Sequence, residues 1–209
     1  MIITTPEIER YMASLLPQRS QVLKELEEVA AERDFPIVGP LVGTVLSQLS
    51  AMIGARRIME LGSGFGYSAL WFAQMLPSDG RIVCTDLDDA NRQFAEEAFR
   101  KAGMQDLLEF HTGEALDVLA GIEGEFDVIF CDIDKSDYSR AFRMALSRLR
   151  PGGVLVFDNA LWKGRMLEGD MSEATRGIVE LNHMAFTEDS CYSSIIPLRD
   201  GLLLCWKRS

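Results

Sequence analysis

Residues 57–68 read Arg-Ile-Met-Glu-Leu-Gly-Ser-Gly-Phe-Gly-Tyr-Ser, an apolar run that meets an acid at Glu60 and then glycines at alternate positions, Gly62, Gly64 and Gly66. A helix-competent apolar stretch, Ala69 to Leu76, follows directly. This pattern predicts a buried strand, a tight turn and the start of a helix. Glycine suits such a turn because the backbone must visit positive φ and because a ligand must approach where a Cβ would collide. The free amides at a helix start favour an anionic or polar ligand group.

The chain around this stretch alternates strand and helix. Strands are expected at 57–61, 81–85, 107–111, 126–131 and 153–157, and helices at 66–76, 89–102, 114–120 and 137–149. Continuous apolar runs such as Val128-Ile129-Phe130-Cys131 and Val154-Leu155-Val156-Phe157 predict a parallel sheet covered on both faces. A helix near 172–186 and a hairpin, 193–198 and 202–206 around Arg199-Asp200-Gly201, end the chain antiparallel. Ahead of the repeat, Thr5-Pro6-Glu7 starts one helix, a second spans about 19–33, Phe35 to Gly43 is a loop, and a third runs from Pro40 or Leu41 to about Ile53. The expected architecture is α/β: a Rossmann-like, doubly wound, mostly parallel seven-stranded sheet with an antiparallel C-terminal hairpin and extra N-terminal helices. Residues 1–209 read as one domain, with 1–53 as a helical lid or dimer segment and 54–209 as the ligand-binding core.

Bulk properties exclude some partners. The formal net charge of −11 opposes an extended grip on nucleic acid. No apolar run is long enough to span a membrane and no basic-then-apolar leader opens the chain, so the expected compartment is the cytoplasm, with no membrane partner. Cys84, Cys131, Cys191 and Cys205 are widely spaced and read as buried free thiols. With only His111 and His183 present, a histidine-rich zinc site or a Ser-His-Asp triad has no material.

In open α/β sheets ligands bind at the carboxyl ends of the strands, and in this chain those ends are mostly acidic. They are Glu60 with the glycine turn, Asp86, Gly113-Glu114-Ala115, Asp132-Ile133-Asp134-Lys135, and Asp158-Asn159. Asp86 lies about twenty residues beyond the turn, where a carboxylate can take both hydroxyls of a ribose. Asp134 and Asp137 also suit helix caps, and Asp158-Asn159 is also a turn signal. Asp132, Asp158 and Asn159 fall at neighbouring strand ends, so their oxygens suit a hard divalent cation: magnesium first, with manganese or calcium as alternatives. Lys135, three residues beyond Asp132, is placed to act as a base or as a charge on the substrate. The turn also fits a dinucleotide fingerprint, which keeps a nicotinamide-dependent reductase open at this point.

Taken together, the motifs Glu60-Leu-Gly-x-Gly-x-Gly-Tyr-Ser68, Asp132-x-x-Lys135-x-x-Tyr138, Asp158-Asn159-x-Leu-Trp-x-Gly164 and Pro197-x-x-Asp-Gly201-Leu resemble a family. It is the class I S-adenosylmethionine-dependent O-methyltransferases, in their cation-dependent catechol and caffeoyl-coenzyme A branch. The resemblance runs from about residue 36 to the C-terminus. It implies that Glu60, Gly62, Gly64, Gly66 and Ser68 hold the methionine part of the cofactor, that Val38 contacts it from the preceding loop, and that Asp132 also belongs to the cofactor site. By the same likeness Asp86 takes the ribose and Glu114-Ala115 line the adenine. Asp132, Asp158 and Asn159 become the metal ligands, Lys135 the catalytic group, and a homodimer using the N-terminal helices the expected assembly. The implied reaction is metal-assisted methylation of a hydroxyl on a small vicinal-diol aromatic. A tRNA hydroxyuridine is an alternative acceptor, and a non-catalytic cofactor-binding protein a further alternative. The chain departs from the catechol enzyme in having Ser193-Ser194 where a carboxylate is expected and Asp134 where an aromatic is expected. It also shows no basic cluster for a coenzyme A tail.

Overall fold

The computed structural model describes residues 4–208. Three helices come first: α1 (Pro6–Leu15), α2 (Gln21–Glu32) and α3 (Gly39–Met52). Then follow β1 (Arg57–Leu61), α4 (Tyr67–Ala73), β2 (Arg81–Asp86), α5 (Asp89–Lys101), β3 (Leu108–Thr112), α6 (Ala115–Gly121), β4 (Phe126–Cys131), α7 (Tyr138–Arg148) and β5 (Leu149–Phe157). The chain closes with α8 (Glu173–Thr187), β6 (Cys191–Ile196) and β7 (Leu202–Lys207).

The seven strands lie in the order β3-β2-β1-β4-β5-β7-β6, parallel from β3 to β5 and antiparallel at β7 and β6. The order reverses between β1 and β4, and that switch point is where an open sheet of this kind opens a crevice. Alternation along the strands feeds two cores. Ile58, Val128, Phe130, Val154 and Val156 face the layer containing α2, α3 and α4, whereas Met59, Ile129, Cys131, Leu155 and Phe157 face α6, α7 and α8. Each such side chain, fully removed from water, contributes roughly 1.5–3 kcal/mol before entropy is subtracted. All four cysteines are buried and free, as expected. No helix among the described residues is long and apolar enough to cross a membrane.

The differences from expectation are local. The loop expected over Phe35 to Gly43 ends at Val38, because Pro40 sits in the first turn of α3, where its missing amide costs nothing. The first hairpin strand begins earlier than expected, at Cys191 rather than Ser193, whereas the second begins at Leu202 as expected. A 3-10 segment, Trp162–Leu167, follows β5 with Trp162, Lys163 and Gly164 in left-handed backbone; it left no periodic signal in the sequence.

Candidate active site

The glycine turn is shaped by what crosses it. A Cβ on Gly62 would stand 2.4 Å from the Asp132 carbonyl oxygen, and Gly62 has φ +81, so only glycine lets β1 and the end of β4 approach this closely. At Gly64 a Cβ would meet the Phe35 ring at 2.9 Å. Phe35 packs on Phe65 with ring centroids 4.8 Å apart, which seats the 35–38 loop over the turn. Tyr67 Oη donates to Glu27 Oε1 at 2.8 Å and fixes α2 beside α4.

Two cavities of about 290 and 590 Å³ meet here and share Gly62, Asp86 and Asp132. The first is lined by Val38, Gly64, Ser68 and Lys135, and the second by Glu114, Ala115 and Asp134. Most of the expected cofactor residues are thus on one continuous cleft. Gly66 and Glu60 stand behind it. Gly66 lets α4 approach Ala95 of α5, and Glu60 is fully buried. Burial lifts the Glu60 carboxyl to about 7, against the hydroxyls of Ser68 and Ser63 and the Cys84 thiol. Its Oε1 is buried with no hydrogen-bond partner. An orphaned carboxylate oxygen behind a glycine cradle suits a ligand that brings positive charge.

Asp86 takes part in the turn itself. Its Oδ2 accepts from the Gly64 amide at 3.0 Å, and its Oδ1 accepts from the Asp88 amide and Asn91 Nδ2, each at 2.9 Å. Asp134 accepts from the Ser136 amide and hydroxyl, the capping role anticipated for it. Asp137 precedes α7 without making a side-chain cap.

Across the cleft, Cys131 and Phe157 are paired in register, so Asp132 and Asp158 follow neighbouring strand ends. The Asp158 amide donates to the Cys131 carbonyl at 3.1 Å. Tyr138 Oη donates to the carbonyls of Cys131 and Asp158 at 3.3 and 3.0 Å, a brace between the two ends. Asp158 is buried, and that burial, followed by the Asp132 charge, raises its carboxyl, opposed by the Asn159 amide, Lys135 and Arg199. Lys135 Nζ donates to Asp132 Oδ1 at 2.6 Å. Asn159 has φ 60, a left-handed conformation that asparagine tolerates better than most residues.

No three His, Cys, Asp or Glu side chains gather as a metal cluster among the described residues. The oxygen set here is two carboxylates and a carboxamide, with the Asp132 charge opposing ionisation of Asp158. That donor set fits a hard divalent cation and disfavours zinc.

Tyr138 braces the site through its two carbonyl contacts, and Asp200, read from the sequence as part of a hairpin turn, contacts Asn159 Nδ2. Each lay inside a motif, and each acts through contacts that spacing alone does not reveal.

A doubly wound sheet with this strand order, a glycine turn at the switch point and acids at successive strand ends defines a Rossmann-like methyltransferase. More narrowly, the chain belongs to the O-methyltransferase family, whose profile matches residues 13–208. It is 31% identical to a catechol O-methyltransferase of Niastella koreensis, over 91% of this chain and 90% of that one. It is also 31% identical to caffeoyl-CoA O-methyltransferase 1 of Eucalyptus globulus, over 92% and 84%. The O-methyltransferase TomG of Streptomyces achromogenes, solved in complex with SAM, superposes with a TM-score of 0.89 at 30% identity, over 97% of this chain and 96% of that one. Membership of this family, rather than the fold, sets aside the nicotinamide-dependent reductase.

Proposed function

We propose that this enzyme transfers the methyl group of S-adenosylmethionine to a hydroxyl of a small aromatic vicinal diol, assisted by a divalent cation. The observation that carries this reading is the placement of Asp132, Asp158 and Asn159 at adjoining strand ends beside Lys135, across a cleft from the glycine turn. The catechol and caffeoyl-CoA relatives and the SAM held by TomG support it.

Glu60 and the turn amides would receive the methionine end, Asp86 the ribose, and Glu114-Ala115 the adenine. A cation held by Asp132, Asp158 and Asn159 would supply Lewis acidity that lowers the pKa of the acceptor hydroxyl. Lys135 already stands at the rim of that set, where its ammonium would stabilise the acceptor oxyanion or its neutral amine would accept the acceptor's proton. The 35–38 loop, seated by Phe35 on Phe65, narrows the approach to the cleft, and much of the rate is then a matter of orientation.

The test is methyl-labelled S-adenosylmethionine with Mg²⁺ and a panel of catechols and hydroxycinnamates, with bulk tRNA as a separate arm. Label in vicinal diols is the expected result. Label in tRNA alone would move the assignment to a hydroxyuridine, and label in no acceptor would favour a non-catalytic binding protein.

A further inference from the structure

The turn Arg199-Asp200-Gly201 has no part in the chemistry above, yet it grips the segment after β5 at four points. The Ala160 amide donates to the Gly201 carbonyl at 2.9 Å, and the Leu161 amide to the Asp200 carbonyl at 2.8 Å. The Asp200 carboxylate accepts from Asn159 Nδ2 at 3.4 Å through Oδ2 and from the Lys163 amide through Oδ1. A Cβ on Gly201 would stand 2.5 Å from Leu161 Cγ, so the two segments are in tight contact. The gripped segment needs holding: Asn159, Trp162 and Lys163 have φ of 60, 42 and 53, in the left-handed region that residues with a Cβ rarely adopt.

The backbone bonds hold the segment's path, while the side-chain contact settles a different matter. The two ends of a carboxamide have nearly the same shape, and only the hydrogen-bond network decides which faces where. A carboxylate is an acceptor only, so Asp200 selects the NH₂ end of Asn159 and turns its oxygen away. Among the described residues, Asn159 Oδ1 accepts no hydrogen bond. Resting on the metal-assisted reading above, we propose that Asp200 is the positioning residue of the metal site, orienting Asn159 so that Oδ1 is the end offered to a divalent cation beside Asp132 and Asp158. A partner that orients a metal ligand in this way is worth roughly 10- to 100-fold in metal affinity.

The experiment is Mn²⁺ binding to the full-length protein by electron paramagnetic resonance, with S-adenosylhomocysteine affinity by calorimetry as the control for folding. Asp200→Ala is expected to weaken Mn²⁺ roughly 10- to 100-fold while leaving S-adenosylhomocysteine affinity within about threefold. The exchange N159D/D200N reverses the direction of the hydrogen bond and is expected to bind Mn²⁺ at least as well as the unmodified protein. Unchanged Mn²⁺ affinity in Asp200→Ala overturns the proposal while the metal site stands. Absence of Mn²⁺ binding in the unmodified protein overturns both. Should Asp200→Ala fail to fold, N159D/D200N binding Mn²⁺ no better than N159D alone overturns the positioning role.

Discussion

Lys135 Nζ lies 2.6 Å from Asp132 Oδ1 and 3.0 Å from the Ile133 carbonyl, with the Tyr138 ring 4.9 Å away. The side chain is largely enclosed at 12% exposure, so it is held at the edge of the cleft by the loop that carries its partner. Replacing it should therefore remove chemistry without removing the cofactor site. Lys135→Ala is expected to lower kcat by roughly 10²- to 10⁴-fold. Calorimetry should find S-adenosylhomocysteine affinity changed by no more than about threefold; a parallel loss of binding would make Lys135 a structural residue instead.

Gly177 sets how closely α8 approaches that loop. An added Cβ would stand 2.0 Å from the Lys135 carbonyl oxygen and 2.9 Å from its carbon, with Ser136 Cα at 3.2 Å. Gly177→Ala is expected to destabilise by about 1–3 kcal/mol through overpacking. It should also lower kcat more than it raises the KM for S-adenosylmethionine, because the displaced backbone is that of Lys135. Thermal melts and steady-state kinetics on one preparation separate the two effects. An unchanged kcat would show that the strain is absorbed by α8.

Glu60 makes stability depend on pH in an unusual direction. Burial raises its folded-state carboxyl from 4.5 to about 7. Between those values the folded chain holds a proton that the unfolded chain has lost. This contribution is therefore complete below about pH 4.5 and is lost as pH rises through about 7, and its size is on the order of 3 kcal/mol. Glu60→Gln cannot ionise, so the ligand-free variant should gain stability relative to the unmodified protein between pH 5 and pH 8. Denaturant melts at both pH values test this, and parallel curves would refute it. Binding of the cationic cofactor should correspondingly tighten as pH rises through about 7.

Helix α1 is amphipathic yet buries none of its residues, and Ile8, Tyr11 and Leu15 are 52%, 66% and 64% exposed on one stripe. A second copy of the chain is the proposed cover for this face. Light scattering should report a dimer for the unmodified protein and a monomer for Leu15→Asp, with a monomer in both cases counting against the assembly.

The parts of the fold legible in the sequence were those governed by burial. Strands β1 and β4 have the expected limits because runs such as Val128 to Cys131 have no polar residue to leave outside. What stayed hidden depends on contacts between distant segments. Asp127 and Asp132 are both acids at an edge of β4. Asp127, at the opposite edge from the cleft, accepts from the amides of Arg56 and Arg57 at 2.8 and 2.7 Å and from Arg150 Nε at 2.5 Å, a purely structural knot. Strand direction, once known, separates the two; composition does not. The left-handed path at Trp162 and Lys163 was likewise unreadable, since the turn that enforces it lies far along the chain, Asp200 standing 37 positions beyond Lys163. That Asp132 and Asp158 stand at neighbouring strand ends was legible because each directly follows an apolar run, and Asn159 comes next in the chain.

The most direct test of the central claim is turnover of a vicinal-diol acceptor before and after metal removal. Treatment with a chelator should abolish methyl transfer, added Mg²⁺ should restore it, and Asp158→Ala should not recover at any Mg²⁺ concentration that saturates the unmodified enzyme. Methyl transfer that continues undiminished in excess chelator would contradict the account.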